Sequence, residues 1–156
     1  MKKLKNPYSE LEGYKCFGCS PKNTQGMQLE FYEDEEYIIS DWLPQEHLQG
    51  YNNILHGGIQ STLMDEVACW AVYIKCGTAG VTTELNIKLK KTVFVNKGKI
   101  RIRAKLKEQN KRFAILHTEI LDADRNICAV AEIKYYIFPT EIAKKKLAYP
   151  GLESFY

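Results

Sequence analysis

The stretch from Ile54 to Tyr73, I-L-H-G-G-I-Q-S-T-L-M-D-E-V-A-C-W-A-V-Y, limits what this chain can fold into more than any other. Gly57 and Gly58 allow a sharp turn without a Cβ in the way, and the residues after them have a helical pattern that Gly77 can end in a left-handed stop. A helix over 57–76 is expected. At ~100° per residue, Ile59, Leu63, Val67, Trp70 and Ile74 fall on one stripe, the side that should lie on a sheet. Asp65 points nearly the other way, yet its neighbours there, Ser61, Ala68, Cys69 and Val72, are small or apolar. A helix apolar nearly all round is buried nearly all round, so Asp65 is expected to face a second layer or a second subunit.

The rest of the chain supplies strands to bury such a helix. Before it, Met27 to Tyr32 and Tyr37 to Leu43 read as a hairpin turned at Glu33–Glu36. After Gly80 the period becomes two: Val81, Thr83, Leu85, Ile87 and Leu89 alternate with polar residues, and Ile100, Ile102, Ala104 and Leu106 alternate with Lys and Arg. Strands over 112–121 and 126–138 complete a meander, with turns at Asn96-Lys97-Gly98, Glu108-Gln109-Asn110 and Asp122 to Arg125. The order hairpin, long helix, four strands is that of an α+β hotdog fold, an antiparallel sheet wrapped around one central helix. With 156 residues and no linker or repeat, one domain is expected, its core about 16–138, with a mobile or loosely packed lead-in before it and a peripheral tail after it.

Several function classes are argued against. The longest apolar window, Val67 to Ile74, is too short to cross a bilayer, and the basic start runs into Asn6-Pro7, not an apolar signal core. Five unevenly spaced cysteines suit a reducing, cytoplasmic location better than a disulfide framework. Cys16-Phe17-Gly18-Cys19 invites zinc, but a structural site wants four ligands and no second pair is visible, so the segment reads as a loop closing over something, with no metal. Between Lys88 and Arg112 lie 11 of the 22 Lys and Arg residues against one acid, Glu108. No aromatic interleaving accompanies them, which argues against nucleic acid. They solvate an outer sheet face, or a few, such as Lys90, Lys91 and Arg112, hold phosphates at the mouth of a site.

His56-Gly57-Gly58 followed by Asp65 has a logic for acyl transfer. An N–H at the start of a helix polarises a carbonyl and stabilises the oxyanion formed on attack, and a carboxylate can activate water or attack directly. L-H-G-G-I-Q-S-T-L-M-D-E resembles the motif of the PaaI-like acyl-CoA thioesterases of the hotdog superfamily. The lead-in C-F-G-C-S-P-K-N-T-Q-G-M-Q-L and T-T-E-L-N-I-K-L-K-K-T-V after the helix are similar to the same group, so the likeness runs from about Cys16 to about Phe138.

That resemblance implies a tight homodimer, often doubled to a tetramer, in which each active site combines the glycine turn of one subunit with the acid of the other. It implies Gly57 as oxyanion donor with Gly58 beside it, His56 as a positioning residue, Asp65 as base or nucleophile, and Thr82 as a hydroxyl that helps hold water. Glu66 is the other candidate acid, and Asn53 lies near a place where some relatives carry an asparagine. No bound cofactor is implied, CoA being part of the substrate. A non-catalytic acyl-CoA sensor of the same fold, and an enoyl-thioester hydratase or dehydratase, are the other functions considered.

Overall fold

A computed structural model describes residues 1–156. Its centre is helix α1 (Gly57–Ala71), which continues through one π-helical turn (Val72–Cys76) to Gly77 at φ 63°, as the glycine stop requires. The wider turn coincides with an outside donor: Tyr149 Oη gives a hydrogen bond of 3.1 Å to the carbonyl oxygen of Tyr73. Around α1 lie strands β1 (Lys2–Lys3), β2 (Tyr32–Asp34), β3 (Tyr37–Trp42), β4 (Gly80–Leu89), β5 (Ile100–Gln109), β6 (Phe113–Leu121) and β7 (Ile127–Ile137), and helix α2 (Thr140–Leu147) comes after them. The strands form one antiparallel sheet in the order β1-β2-β3-β5-β6-β7-β4, with α1 packed against β5, β6, β3 and β4. This is the hotdog arrangement of a sheet around one helix. No helix is long and apolar enough to cross a membrane.

The alternation after Gly80 gives four strands at nearly the expected places, but they are not one meander. β5, β6 and β7 follow one another, whereas β4 sits at the far edge beside β7, and β5 pairs with β3. The connection over 90–99 is therefore no tight turn. It crosses the start of α1, where Leu55 N–H donates to Val93 O at 2.9 Å and Val95 N–H to Asn53 O at 3.1 Å. Burial of Val93 and Leu55 to 1% exposure each holds it there.

The expected first hairpin also differs. Met27, Leu29 and Phe31 are buried with the period of a strand, but Gln28 has φ 52°, which a ladder cannot accommodate. Their backbone bonds go to the N-terminal segment instead: Met27 N–H to Phe17 O, Leu29 N–H to Gly18 O, and Leu4 N–H to Phe31 O. Glu33 and Asp34 are strand residues, and the turn shrinks to Glu35 and Glu36, with Glu35 at φ 53° as tight hairpins require.

The lead-in, expected to be mobile or loosely packed, belongs to the core, and so does the end of the tail. Leu4 and Tyr8 are buried, as are Tyr149 and Phe155. Trp70, assigned by its spacing to the sheet-facing stripe, stacks on Phe31 at 4.0 Å between ring centroids and meets Phe155 edge-on at 5.5 Å. Tyr8 and Tyr73 pack against the same Phe155. Two terminal segments thus cover a flank of α1 that the sheet does not reach. Phe155→Ala should lower stability by about 3–5 kcal/mol, the usual range for emptying a buried aromatic site. A lower urea midpoint with an unchanged folded far-UV spectrum checks it; an unmoved midpoint would mean that the tail is not part of the core.

Candidate functional site

The entry to α1 is built by a short, over-determined turn. Asn53 takes φ 65°, its N–H is held by the side-chain oxygen of Gln49, Gly50 N–H donates to Ile54 O at 2.9 Å, and His56 N–H donates to Leu48 O at 3.1 Å. Asn53 therefore serves the turn through its backbone. His56 is the N-cap: its Nδ1 accepts the Gly58 N–H at 2.9 Å, which places the ring proton of neutral His56 on Nε2. Gly58 N–H is thereby used, whereas Gly57 N–H and Ile59 N–H have no acceptor in the chain, and Gly57 N–H is the first of these two free donors at the positive end of the helix dipole. Clefts of about 390 Å³, bordered by Gly50, Tyr51 and Gly57, and about 380 Å³, bordered by His47, Gln49 and Gly58, lie on either side of the exposed His56 ring.

Asp65, half-buried in the middle of α1, turns towards β4 and β7. Its Oδ1 accepts from Thr82 Oγ1 at 2.8 Å and from Tyr135 Oη at 2.5 Å, and the same Tyr135 hydroxyl lies 2.7 Å from the Asp65 carbonyl oxygen. Oδ2 has no partner in the chain. The Thr82 contact depends on a register shift between Thr82 and Glu84, a β-bulge. Strict alternation from Leu85 would have turned Val81 and Thr83 to the helix; the extra residue turns Thr82 there, and Thr83 Oγ1 bonds the Lys134 carbonyl at 3.1 Å instead.

Tyr135, 1% exposed and with its hydroxyl held protonated well above the ordinary range by burial and by the nearby Cys69 and Asp65, went unnoticed in the sequence. Its signal was the register, since Tyr135 stands directly opposite Thr82 in the β4–β7 ladder. Glu66, one residue on, points elsewhere, to the loop of Cys16 and Cys19, with Cys16 Sγ 3.5 Å from its Oε1. Burial first, and then the nearby Cys16, push its carboxyl up to about 8.

Lys90 and Lys91 directly follow Leu89, whose Cδ1 lies against Gly57, so both stand beside the turn and both are exposed. Arg112 is at the other end of β4, its carbonyl accepting from Ile137, which pairs with Gly80. Much of the basic strip is matched across the sheet: Arg101 binds Asp41 through two bonds, Arg103 binds Glu119, Lys105 binds Glu36, and Lys107 binds Glu132.

The fold and this geometry can be set beside known proteins. A family model described as the thioesterase superfamily matches residues 52–129, from the turn through β4 and β5 to the start of β7. No curated protein matches the sequence. Among solved structures, a thioesterase from Haemophilus influenzae superposes with a TM-score of 0.67 at 17% identity, over 78% of this chain and 86% of that one. The PaaI protein of the E. coli phenylacetic acid degradation operon does so with 0.66 at 18%, over 73% and 82%. A Bacillus halodurans protein crystallised with CoA gives 0.64 at 22%, over 72% and 76%. At such identities the likeness is one of fold, and it is the family match spanning half of the chain that places it: the chain belongs to the thioesterase superfamily and has its hotdog fold.

Proposed function

We propose that this protein hydrolyses acyl-CoA thioesters to the free acid and CoA, in a homodimer whose two sites each join Gly57 of one protomer to Asp65 of the other. The observation that carries this reading is a separation. Gly57 and Asp65 stand eight residues apart on one rigid helix, about 12 Å along its axis, so one chain cannot bring both to the same carbonyl carbon. The sheet offers the means of pairing. β4 is an edge strand of ten residues, and Leu85 and Leu89, on one face of it, are exposed at 46 and 51%, apolar side chains at an edge that a second copy would cover. Antiparallel pairing of two such edges sets the start of one α1 against the middle of the other. A further doubling to a tetramer is compatible with this arrangement.

In that dimer the thioester oxygen accepts the free Gly57 N–H, and the helix dipole favours the charge that grows on it. Asp65 has Oδ1 tied to Thr82 and Tyr135, which leaves Oδ2 for the attacking water, as general base, or for direct attack on the carbonyl. Thr82 spends its proton on Asp65, so it meets water as an acceptor. His56, with Nδ1 occupied by Gly58 N–H, presents an Nε2–H donor at the mouth and is a positioning residue, not a base, which disfavours hydratase chemistry. A binding module would have no use for a carboxylate fixed at one oxygen and open at the other. Lys90 and Lys91 suit the CoA phosphates, and Arg112 would reach the same mouth from the partner protomer. The chemistry needs only water beyond the substrate, and the unpaired thiols suit a reducing cytoplasm.

Asp65→Asn should lower kcat on acyl-CoA substrates by roughly 10²–10⁴-fold and leave the oligomer intact, read as free thiol released from short, long and aromatic acyl chains. Turnover like that of the wild type would remove the assignment. Gly57→Pro tests the N–H itself. Proline is tolerated at the first helical position, His56 already has the extended backbone that precedes proline, and the added Cβ meets only the flexible end of Leu89. The variant should stay folded and lose kcat by roughly 10²–10³-fold, the usual worth of an oxyanion donor; retained kcat would take Gly57 out of the mechanism.

A further inference from the structure

Glu66 raises a separate question. Its carboxyl, Cys16 Sγ and Cys19 Sγ all lie within 4.8 Å of one another where the N-terminal loop crosses α1. All three are acids, and none of the chain's ion pairs includes Glu66. Three acidic groups packed together with no cation must stay protonated or share a positive ion. The local hydrogen bonds converge on one sulfur: Cys16 Sγ accepts from the Cys19 thiol at 3.2 Å and from the Cys19 N–H at 3.3 Å.

Spacing agrees with a metal. Four ligands around zinc, at about 2.3 Å for sulfur and 2.0–2.2 Å for oxygen, leave tetrahedral edges of about 3.8 Å between sulfurs and about 3.5 Å between sulfur and oxygen. The observed edges are 3.2 Å from Cys16 Sγ to Cys19 Sγ and 3.5 Å from Cys16 Sγ to Glu66 Oε1, so the sulfurs need to part by only about half an ångström. Gly18 carries the same message. A Cβ there would stand 2.4 Å from the Glu66 carboxyl, so the glycine between the cysteines is what lets the helix acid reach them. Tyr14 Oη, 2.9 Å from Cys19 Sγ, stands as an outer partner that can hold a ligating sulfur in place.

We propose that Cys16, Cys19 and Glu66 bind one zinc ion, with water as the fourth ligand, clipping the N-terminal loop to α1. The missing ligand of the Cys-x-x-Cys motif comes from 50 residues away along the chain. Two thiolates select a soft, tetrahedral ion over calcium or magnesium. Binding releases the protons that these groups hold in the metal-free protein. The zinc is a clip, and the water-activating carboxylate remains Asp65, whose side chain turns to β4 and β7.

The test uses the full-length protein, reduced, stripped with a chelator and titrated with Co²⁺ as a coloured stand-in for zinc. A sulfur-to-cobalt charge-transfer band should saturate at one Co²⁺ per chain, and Zn²⁺ should displace it. Cys16→Ser and Cys19→Ser should each remove most of the band, Glu66→Gln should weaken binding at least ten-fold, and Cys76→Ser should leave the band unchanged. Zn²⁺ should raise Tm in the wild type and in Cys76→Ser but not in Cys16→Ser. Native mass spectrometry of the wild type, with one zinc per chain, reads the same point without any variant. No charge-transfer band in the reduced wild type, a band that survives both serine variants, or a Cys16–Cys19 disulfide formed with no metal uptake would each overturn the proposal.

Discussion

The interaction on which the rest of the structure depends is the burial of α1 on nearly every side. Leu63, Met64, Val67, Ala68, Trp70 and Ala71 are all at 0–1% exposure, and no single surface can cover a helix so evenly apolar. The sheet covers one part, and the aromatic cluster of Tyr8, Tyr149 and Phe155 from the two chain ends covers another. The remaining flank carries Asp65 and looks along the open edge of β4. A polar group is tolerable there because two hydroxyls satisfy one of its oxygens, while the other is half-buried with no partner in the chain.

Two adjacent acids in one helix have unlike fates for a simple geometric reason. Consecutive helical residues point about 100° apart, so Asp65 reaches the strands while Glu66 reaches the N-terminal loop. The first accepts hydrogen bonds from two hydroxyls. The second is desolvated beside Cys16, and its carboxyl is pushed up to about 8. One pair of residues thus links α1 both to the proposed reaction and to the loop over its flank.

Much of this was legible in the sequence because it rests on local rules. The glycine pair and Gly77 bound the helix, the period of two marked β4 to β7, and the spacing from His56 to Asp65, through its likeness to a family motif, pointed to the candidate site. What was not legible depends on partners distant in the chain. β4 crosses to the far edge because the connection over 90–99 packs under Leu55, which no turn signal announces. The β-bulge that turns Thr82 to Asp65, and the register that brings Tyr135 opposite, are properties of a pairing and not of either strand. The strand-like run at Met27 to Tyr32 misled for the converse reason. Alternating burial arises wherever extended chain lies on a core, and here its backbone partners are Phe17, Gly18 and Leu4. Leu4 and Tyr8 sit among polar neighbours, so the burial of the lead-in left no periodic trace.

The central claim is that a working site takes its oxyanion donor and its carboxylate from different protomers. Mixing inactive Asp65→Asn and inactive Gly57→Pro chains, with subunit exchange by mild denaturation and refolding, tests it most directly. In a mixed dimer one site carries both lesions and the other neither, so an equal mixture should recover about a quarter of wild-type turnover. If both groups served within one chain, every site would keep a lesion, and the mixture would be as inactive as its parts.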